Sequence, residues 1–246
     1  MYLTEPRLTD IVKKQFLYKL NAYTGVFSSL LIMQLIGLFF GFNTGGGSSG
    51  SESLTINWRS LSGDMAVIFT LFWAFSTGIL ITTLAYRNDA FSFVSTRLSH
   101  HVSSFLFLLV MSCIAGITAP LASSVIKLIS LFQHNAVFIE TSGLFASPVD
   151  FFIRIATAVI YTILFAGFGY VIGSLIQLSK LVIPFLVIGL FILPLFNISG
   201  TGFIEYMVIF FGFETSLLIF LVKVLITVLV LFAISVAITN KTEVRK

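Results

Sequence analysis

Charged side chains are scarce in this chain, 10% of 246 residues against 57% apolar, so the position of each one carries information. Asp150 and Arg154 are four residues apart, share one helical face and can pair. Lys223 lies inside the apolar run 216–239, Lys127 near the outer end of the third run, and Glu205 and Glu214 near the outer edge. A basic side chain at the centre of a membrane helix costs about 2.5–3.5 kcal/mol on insertion scales, so Lys223 must reach an interface, a cavity or a partner. Lys127, Asp150, Arg154, Glu205, Glu214 and Lys223 are therefore the candidates for intramembrane charge pairs or a gate, with structural pairing expected before substrate contact.

Other groups point away from catalysis. His100 and His101 are adjacent and, on a helix, diverge by about 100°, which prevents them from sharing one metal ion. A polar membrane-border role suits them better. Cys113 is the one cysteine and lies in an apolar run, so no disulfide or paired-cysteine metal site can form within the chain. The stretch NTGGGSSGSES lacks the Lys-Ser or Lys-Thr of a phosphate loop and reads as a solvated linker. No metal site and no cofactor is expected in this chain, and no set of paired carboxylates or nucleophile motif marks an enzyme.

The elements that hold these residues are hydrophobic. A mean hydropathy of +1.06 with 28 phenylalanines exceeds what a soluble core of this size could conceal, so the chain reads as an integral membrane protein. The net charge of +4 does not signal nucleic acid, because the lysines and arginines gather at the ends of apolar runs rather than on one face. Continuous apolar runs predict six membrane helices at 22–42, 65–85, 102–122, 151–176, 181–196 and 216–239 in a single transmembrane domain covering 1–246. Pro184 and Pro194 predict that the fifth span is kinked.

Ahead of the first span, residues 4–21 carry Leu8, Ile11, Val12, Phe16 and Leu20 at helical steps, with Lys13, Lys14 and Lys19 off that stripe. A helix lying on the membrane surface with its lysines at anionic headgroups is expected. Acidic residues this early, with no short apolar core, argue against a cleaved signal peptide. Residues 200–216 are apolar but too short to cross, and predict a re-entrant or interfacial element. Lys and Arg concentrate in the tails and in the loops after spans two and four, so both termini are expected to be cytoplasmic.

That topology puts the polar segment AYRNDAFSFVSTRLSHHVSS, 85–104, on the inner side between spans two and three. A helix over about 89–98 sets Ala90, Phe91, Val94 and Leu98 to one side and charges to the other, as a cytoplasmic docking element would. With the surface helix, six spans, this inner helix and the outer re-entrant element, the chain resembles the ABC type-2 permease family of bacterial exporters. The resemblance implies an all-α transmembrane subunit in the bacterial cell membrane. It implies that the loop is a coupling helix, with Arg87, Asp89, Phe91, Val94 and Arg97 meeting a soluble ATP-binding cassette subunit, although the family's glycine and proline in this loop are missing here. ATP and Mg would sit on that partner, a second permease chain would complete the pathway, and the cargo would be a hydrophobic or amphipathic solute such as a peptide, antibiotic or lipid-like compound. A lipid-modifying intramembrane enzyme and an ion-coupled secondary transporter are the alternatives; each predicts deep acidic or nucleophilic groups.

Overall fold

The computed structural model describes residues 7–42, 45–51, 54–83, 86, 96–130, 136–138, 147–179, 181–188, 203–214 and 216–242. Its elements run α1 (Leu8–Ala22), α2 (Thr24–Gly41), β1 (Gly45–Ser51), β2 (Leu54–Leu61), α3 (Asp64–Thr82), α4 (Arg97–Ser130) and β3 (Ala136–Phe138). They continue with α5 (Pro148–Leu178), α6 (Val182–Val187), α7 (Phe203–Gly212) and α8 (Leu217–Thr242). Five helices, α2, α3, α4, α5 and α8, are long and apolar enough to cross a membrane, which marks a multi-pass membrane protein.

These five match five of the six expected spans. The expected span at 181–196 is represented by the short α6, and residues 189–196 lie outside the described residues. The six-span layout is thus not reproduced among the described residues. The segment expected to re-enter contains α7, ten residues long, which at 1.5 Å per residue reaches only about 15 Å, half a hydrocarbon core. The linker reading of NTGGGSSGSES is corrected: β1 occupies most of it and pairs antiparallel with β2 from Gly45↔Ser60 to Ser51↔Leu54. β3 joins β2 in parallel at Arg59↔Ala136. Glycine and serine have little strand preference of their own, and the ladder to β2 supplies what propensity does not.

α5 is the hub, packing against α3, α4 and α8, while α2 packs on α3 and α1 on α4. Small residues set these approaches. A Cβ on Gly169 would strike the Phe75 carbonyl oxygen of α3, and one on Gly173 would stand 3.0 Å from the Ile79 Cα. The four-residue glycine step of α5 is therefore spent on internal packing. On α2, a Cβ on Gly37 would meet the Ala66 Cα at 2.7 Å and one on Gly41 the Ser62 carbonyl oxygen at 2.6 Å, so this pair also packs within the chain. Gly116 lies four residues before Pro120, where the proline leaves a carbonyl without its helical donor, and α5 closes in at Val159.

Polar side chains cross-link the apolar helices at mid-bundle. Gln34 donates to Thr118 at 2.8 Å and to Thr70 at 3.4 Å, joining α2, α4 and α3. Trp73 donates its indole N–H to Ser29 at 2.9 Å. Such bonds are worth about 0.6–2 kcal/mol each inside a membrane bundle. At 34 and 31 residues, α4 and α5 measure about 50 Å and 46 Å, well beyond a core of about 30 Å. Their ends must project past the hydrocarbon or tilt within it, and the chemically interesting groups sit at those ends.

Candidate functional site

One end of the bundle holds a buried polar layer made by α1, α4, α5 and α8. Gln15 and Lys19, four residues apart on α1, face α4, and each is only 2% exposed. The Lys19 ammonium donates to Ser104 Oγ at 2.7 Å, Ser103 Oγ at 2.8 Å and the His100 carbonyl at 3.3 Å. Ser103 Oγ in turn reaches the Gln15 Oε1 at 3.2 Å and the His100 carbonyl at 2.9 Å. These partners are neutral. Burial without a balancing carboxylate pushes the Lys19 pKa down from 10.5 to about 7. This overturns the expectation that Lys19 lies at lipid headgroups; Lys13 and Lys14 are exposed, and Lys19 is turned inward.

The layer continues across the bundle. His101 Nδ1 and the Tyr170 hydroxyl lie 2.6 Å apart. Ser174 and Ser235 meet at 2.5 Å, tying α5 to α8. Among the described residues, His101 Nε2 and Gln15 Nε2 are buried without a hydrogen-bond partner, and no group of three or more His, Cys, Asp or Glu could hold a metal ion.

The opposite end opens instead of closing. Between the starts of α3 and α5 lies a pocket of about 450 Å³ whose wall includes Asp64, Asp150, Arg154, Thr157 and Tyr161. Arg154 Nη2 binds Asp64 Oδ1 at 2.9 Å, so the pairing runs between helices to Asp64, beyond the same-helix arrangement expected with Asp150. Ser62 Oγ donates to Asp64 Oδ2 at 3.0 Å and accepts the Asp64 backbone N–H at 3.2 Å, holding the acid in the first turn of α3, where the helix dipole favours negative charge. Asp150 is exposed on the same wall. Tyr161 donates to the Phe211 carbonyl at 2.7 Å, anchoring α7 beside the pocket.

The remaining candidates divide. Glu214 and Lys223 are brought together as an ion pair, and the Lys223 ammonium also sits 4.3 Å from the Phe210 ring centroid and 3.5 Å from its carbonyl. Arg97 is the first residue of α4 rather than the end of a separate short helix. Lys127 and Glu205 have helical backbones in α4 and α7, with side chains outside the description. Arg87, Asp89, Phe91 and Val94 lie outside the described residues.

Sequence reasoning missed Lys19, Ser103, Ser104 and Tyr170. A signal existed: Gln15 and Lys19 repeat at four residues on α1, as do Ser99 and Ser103 on α4, giving two helices with matching polar faces. No protein-family model matches the chain, and neither does any curated protein or solved structure.

Proposed function

We propose that the protein is the membrane-spanning subunit of an ATP-driven exporter, moving a hydrophobic or amphipathic solute with power drawn from a separate ATP-binding cassette subunit. In this reading the α1 end faces the cytoplasm, as the Lys and Arg bias requires, and the segment around Phe91 and Val94 docks on the ATPase. The observation that carries it is the fastening of α1 to the base of α4 through Lys19, Ser103 and Ser104. The segment between α3 and α4 enters this same base, so a push on it would move the surface helix and a long membrane helix as one body. Energy then enters as differential contact between two conformations, with no catalysis in this chain. The pocket at the far end, charged on its wall and lined by apolar side chains such as Val67 and Ile153, supports an exit for an amphipathic solute. Apolar faces left exposed along α2 and α8, including Leu35, Phe39, Leu225 and Leu229, suit lipid or a second permease chain.

The test is co-purification from native membranes. The wild-type chain should bring down a soluble subunit with a GxxxxGK[ST] loop and support nucleotide-dependent solute efflux. Phe91→Asp combined with Val94→Asp should insert normally and lose both. Full recruitment by the double variant would sink the reading.

A further inference from the structure

The pocket between the starts of α3 and α5 has a wall whose chemistry is one-sided. Its side-chain donors are Arg154, Thr157 and Tyr161, and each already has an acceptor. Arg154 Nη2 lies 2.9 Å from Asp64 Oδ1, Thr157 Oγ1 donates to the Ile153 carbonyl at 2.8 Å, and the Tyr161 hydroxyl donates to the Phe211 carbonyl at 2.7 Å. The two carboxylates of the wall are not equivalent. Asp64 is held by Arg154 and Ser62, whereas Asp150, one turn before Arg154 on α5, is exposed and has no ion-pair or hydrogen-bond partner among the described residues. Two carboxylates against one guanidinium leave the described wall with one negative charge in excess.

We infer that this pocket binds an amphipathic organic cation carrying a single positive charge, with the charge at the Asp150 carboxylate and the apolar body against Val67, Ile68 and Ile153. Such a ligand brings the one thing the wall lacks, a positive charge, and its apolar part covers side chains that water otherwise wets. The size agrees: a cavity of about 450 Å³ lies inside the range of about 300–1,000 Å³ of small-molecule sites. A bare metal ion would leave most of that space empty, and no group of three or more His, Cys, Asp or Glu among the described residues could hold one.

An anion is the contrary occupant, and two features disfavour it. To reach Arg154 it would have to displace Asp64, whose carboxylate also accepts from Ser62 at 3.0 Å. The N-termini of α3 and α5, which would otherwise attract negative charge, each carry an acid of their own in the first turn, Asp64 and Asp150. Because Asp150 is exposed, water and salt moderate its pull on a cation, and the apolar wall must supply the rest of the affinity. Binding of that kind is modest and readily reversed, as an exit requires.

The inference deepens the exporter reading and rests on it in one respect, the naming of this ligand as the cargo. The binding itself involves no ATPase.

The experiment uses the full chain in lipid nanodiscs, without nucleotide, and a matched pair of probes. Tetraphenylphosphonium and tetraphenylborate have nearly the same size and shape and opposite charge. Equilibrium dialysis, corrected with empty nanodiscs, should show saturable binding of the phosphonium and none of the borate. Asp150→Asn keeps the shape of the side chain, removes its charge and should weaken phosphonium binding about three- to fivefold, the upper part of what an exposed charge contributes. Arg154→Gln removes the competing positive charge and should strengthen binding by a similar factor. Opposite changes at two neighbouring positions are not what a general loss of structure produces, and either variant alone still tests the site if the other fails to fold. Adding phosphatidylethanolamine to phosphatidylglycerol nanodiscs identifies the source of the cation: competition assigns the site to a lipid amine, and its absence to a free solute. Saturable binding of the borate, no saturable binding of the phosphonium, or phosphonium binding that both substitutions leave unchanged would overturn the inference. Each of these results leaves recruitment of an ATPase by the Phe91 segment untouched, and a loss of recruitment leaves the dialysis result untouched.

Discussion

The two ends of this bundle use charge in opposite ways. At the α1 end, Lys19 is shut inside with neutral partners, and the glycines of α5 draw α3 to backbone contact nearby. At the other, Asp64 and Arg154 form an opposite-charge pair with side-chain exposures of 70% and 20%, beside an open pocket. A buried charge without a counter-ion is costly, and the cost makes it responsive: small changes in proton activity or packing alter its state. An exposed pair is inexpensive and correspondingly weak. The closed end is therefore where energy can be stored, and the open end is where a ligand can enter without disturbing the fold.

The largest expected effect tests the closed end through pH. The docked Lys19 has its pKa near 7, whereas an undocked α1 returns the ammonium to water with a value of 10.5. Between these values the undocked state holds more protons, so docking strengthens as pH rises through this window and is flat below it. The full difference is about 5 kcal/mol. Hydrogen exchange of the α1 amides, or a spin label on exposed Leu17, should show α1 tightening from pH 7 to 10. Lys19→Met should abolish the slope; a slope that persists in Lys19→Met would assign it to another group.

Next comes the packing that keeps this end closed. Gly169→Ala places a methyl group against the Phe75 carbonyl, which belongs to backbone and cannot rotate away. Separating α3 from α5 should cost about 3 kcal/mol, the upper part of the overpacking range. Thermal unfolding in detergent measures it. The same change at Gly167, where the nearest atoms stand 3.6 Å away on Leu231 and Val228, should cost less than about 1 kcal/mol. Equal losses at the two positions would remove the close α3–α5 approach as their explanation.

The contrast also accounts for what could be read from sequence. Apolar runs announce helices because lipid removes every other way to satisfy a backbone, so α2, α3, α4, α5 and α8 were legible to within a few residues at most of their ends. Gly169 and Gly173 stand four residues apart in the sequence, a spacing that puts both on one helical face and permits the close packing seen between α5 and α3. Lys19 was not legible, because a lysine off an apolar stripe looks solvated until the neighbour is known, and that neighbour, α4, begins 75 residues later. Arg154 was legible as a pairing group; its interhelical partner was not, since Asp64 lies 90 residues away. Periodicity reports faces, and only three-dimensional packing reports which faces meet. β1 was missed for the related reason that its strand form depends on β2.

An intermediate case lies at Glu214 and Lys223, with side chains 22% and 27% exposed. Lys223→Met keeps the length of the stem over the Phe210 ring and removes the charge. Loss of a partly buried charged bond should loosen α7 from α8 by about 1.5–3 kcal/mol, visible as faster amide exchange over Phe203–Gly212 with α1 unaffected. A loss this size at α7 alone would grade the three charged sites by burial.

The smallest effect belongs to the open end, and its smallness is the prediction. Asp64→Asn removes the negative charge that faces Arg154 yet keeps an oxygen able to accept its N–H. Because the acid is 70% exposed, water replaces most of what is lost, and the cost should stay below about 1 kcal/mol. Asp150 also lies on the pocket wall, one turn before Arg154, and can take over part of the pairing. Salt offers an independent check: at about 1 M the screening length shrinks to about 3 Å, so wild type and Asp64→Asn should converge in melting temperature. A loss above about 2 kcal/mol that resists salt would mean that water does not reach the pair, and the pocket would then belong to the closed part of the molecule.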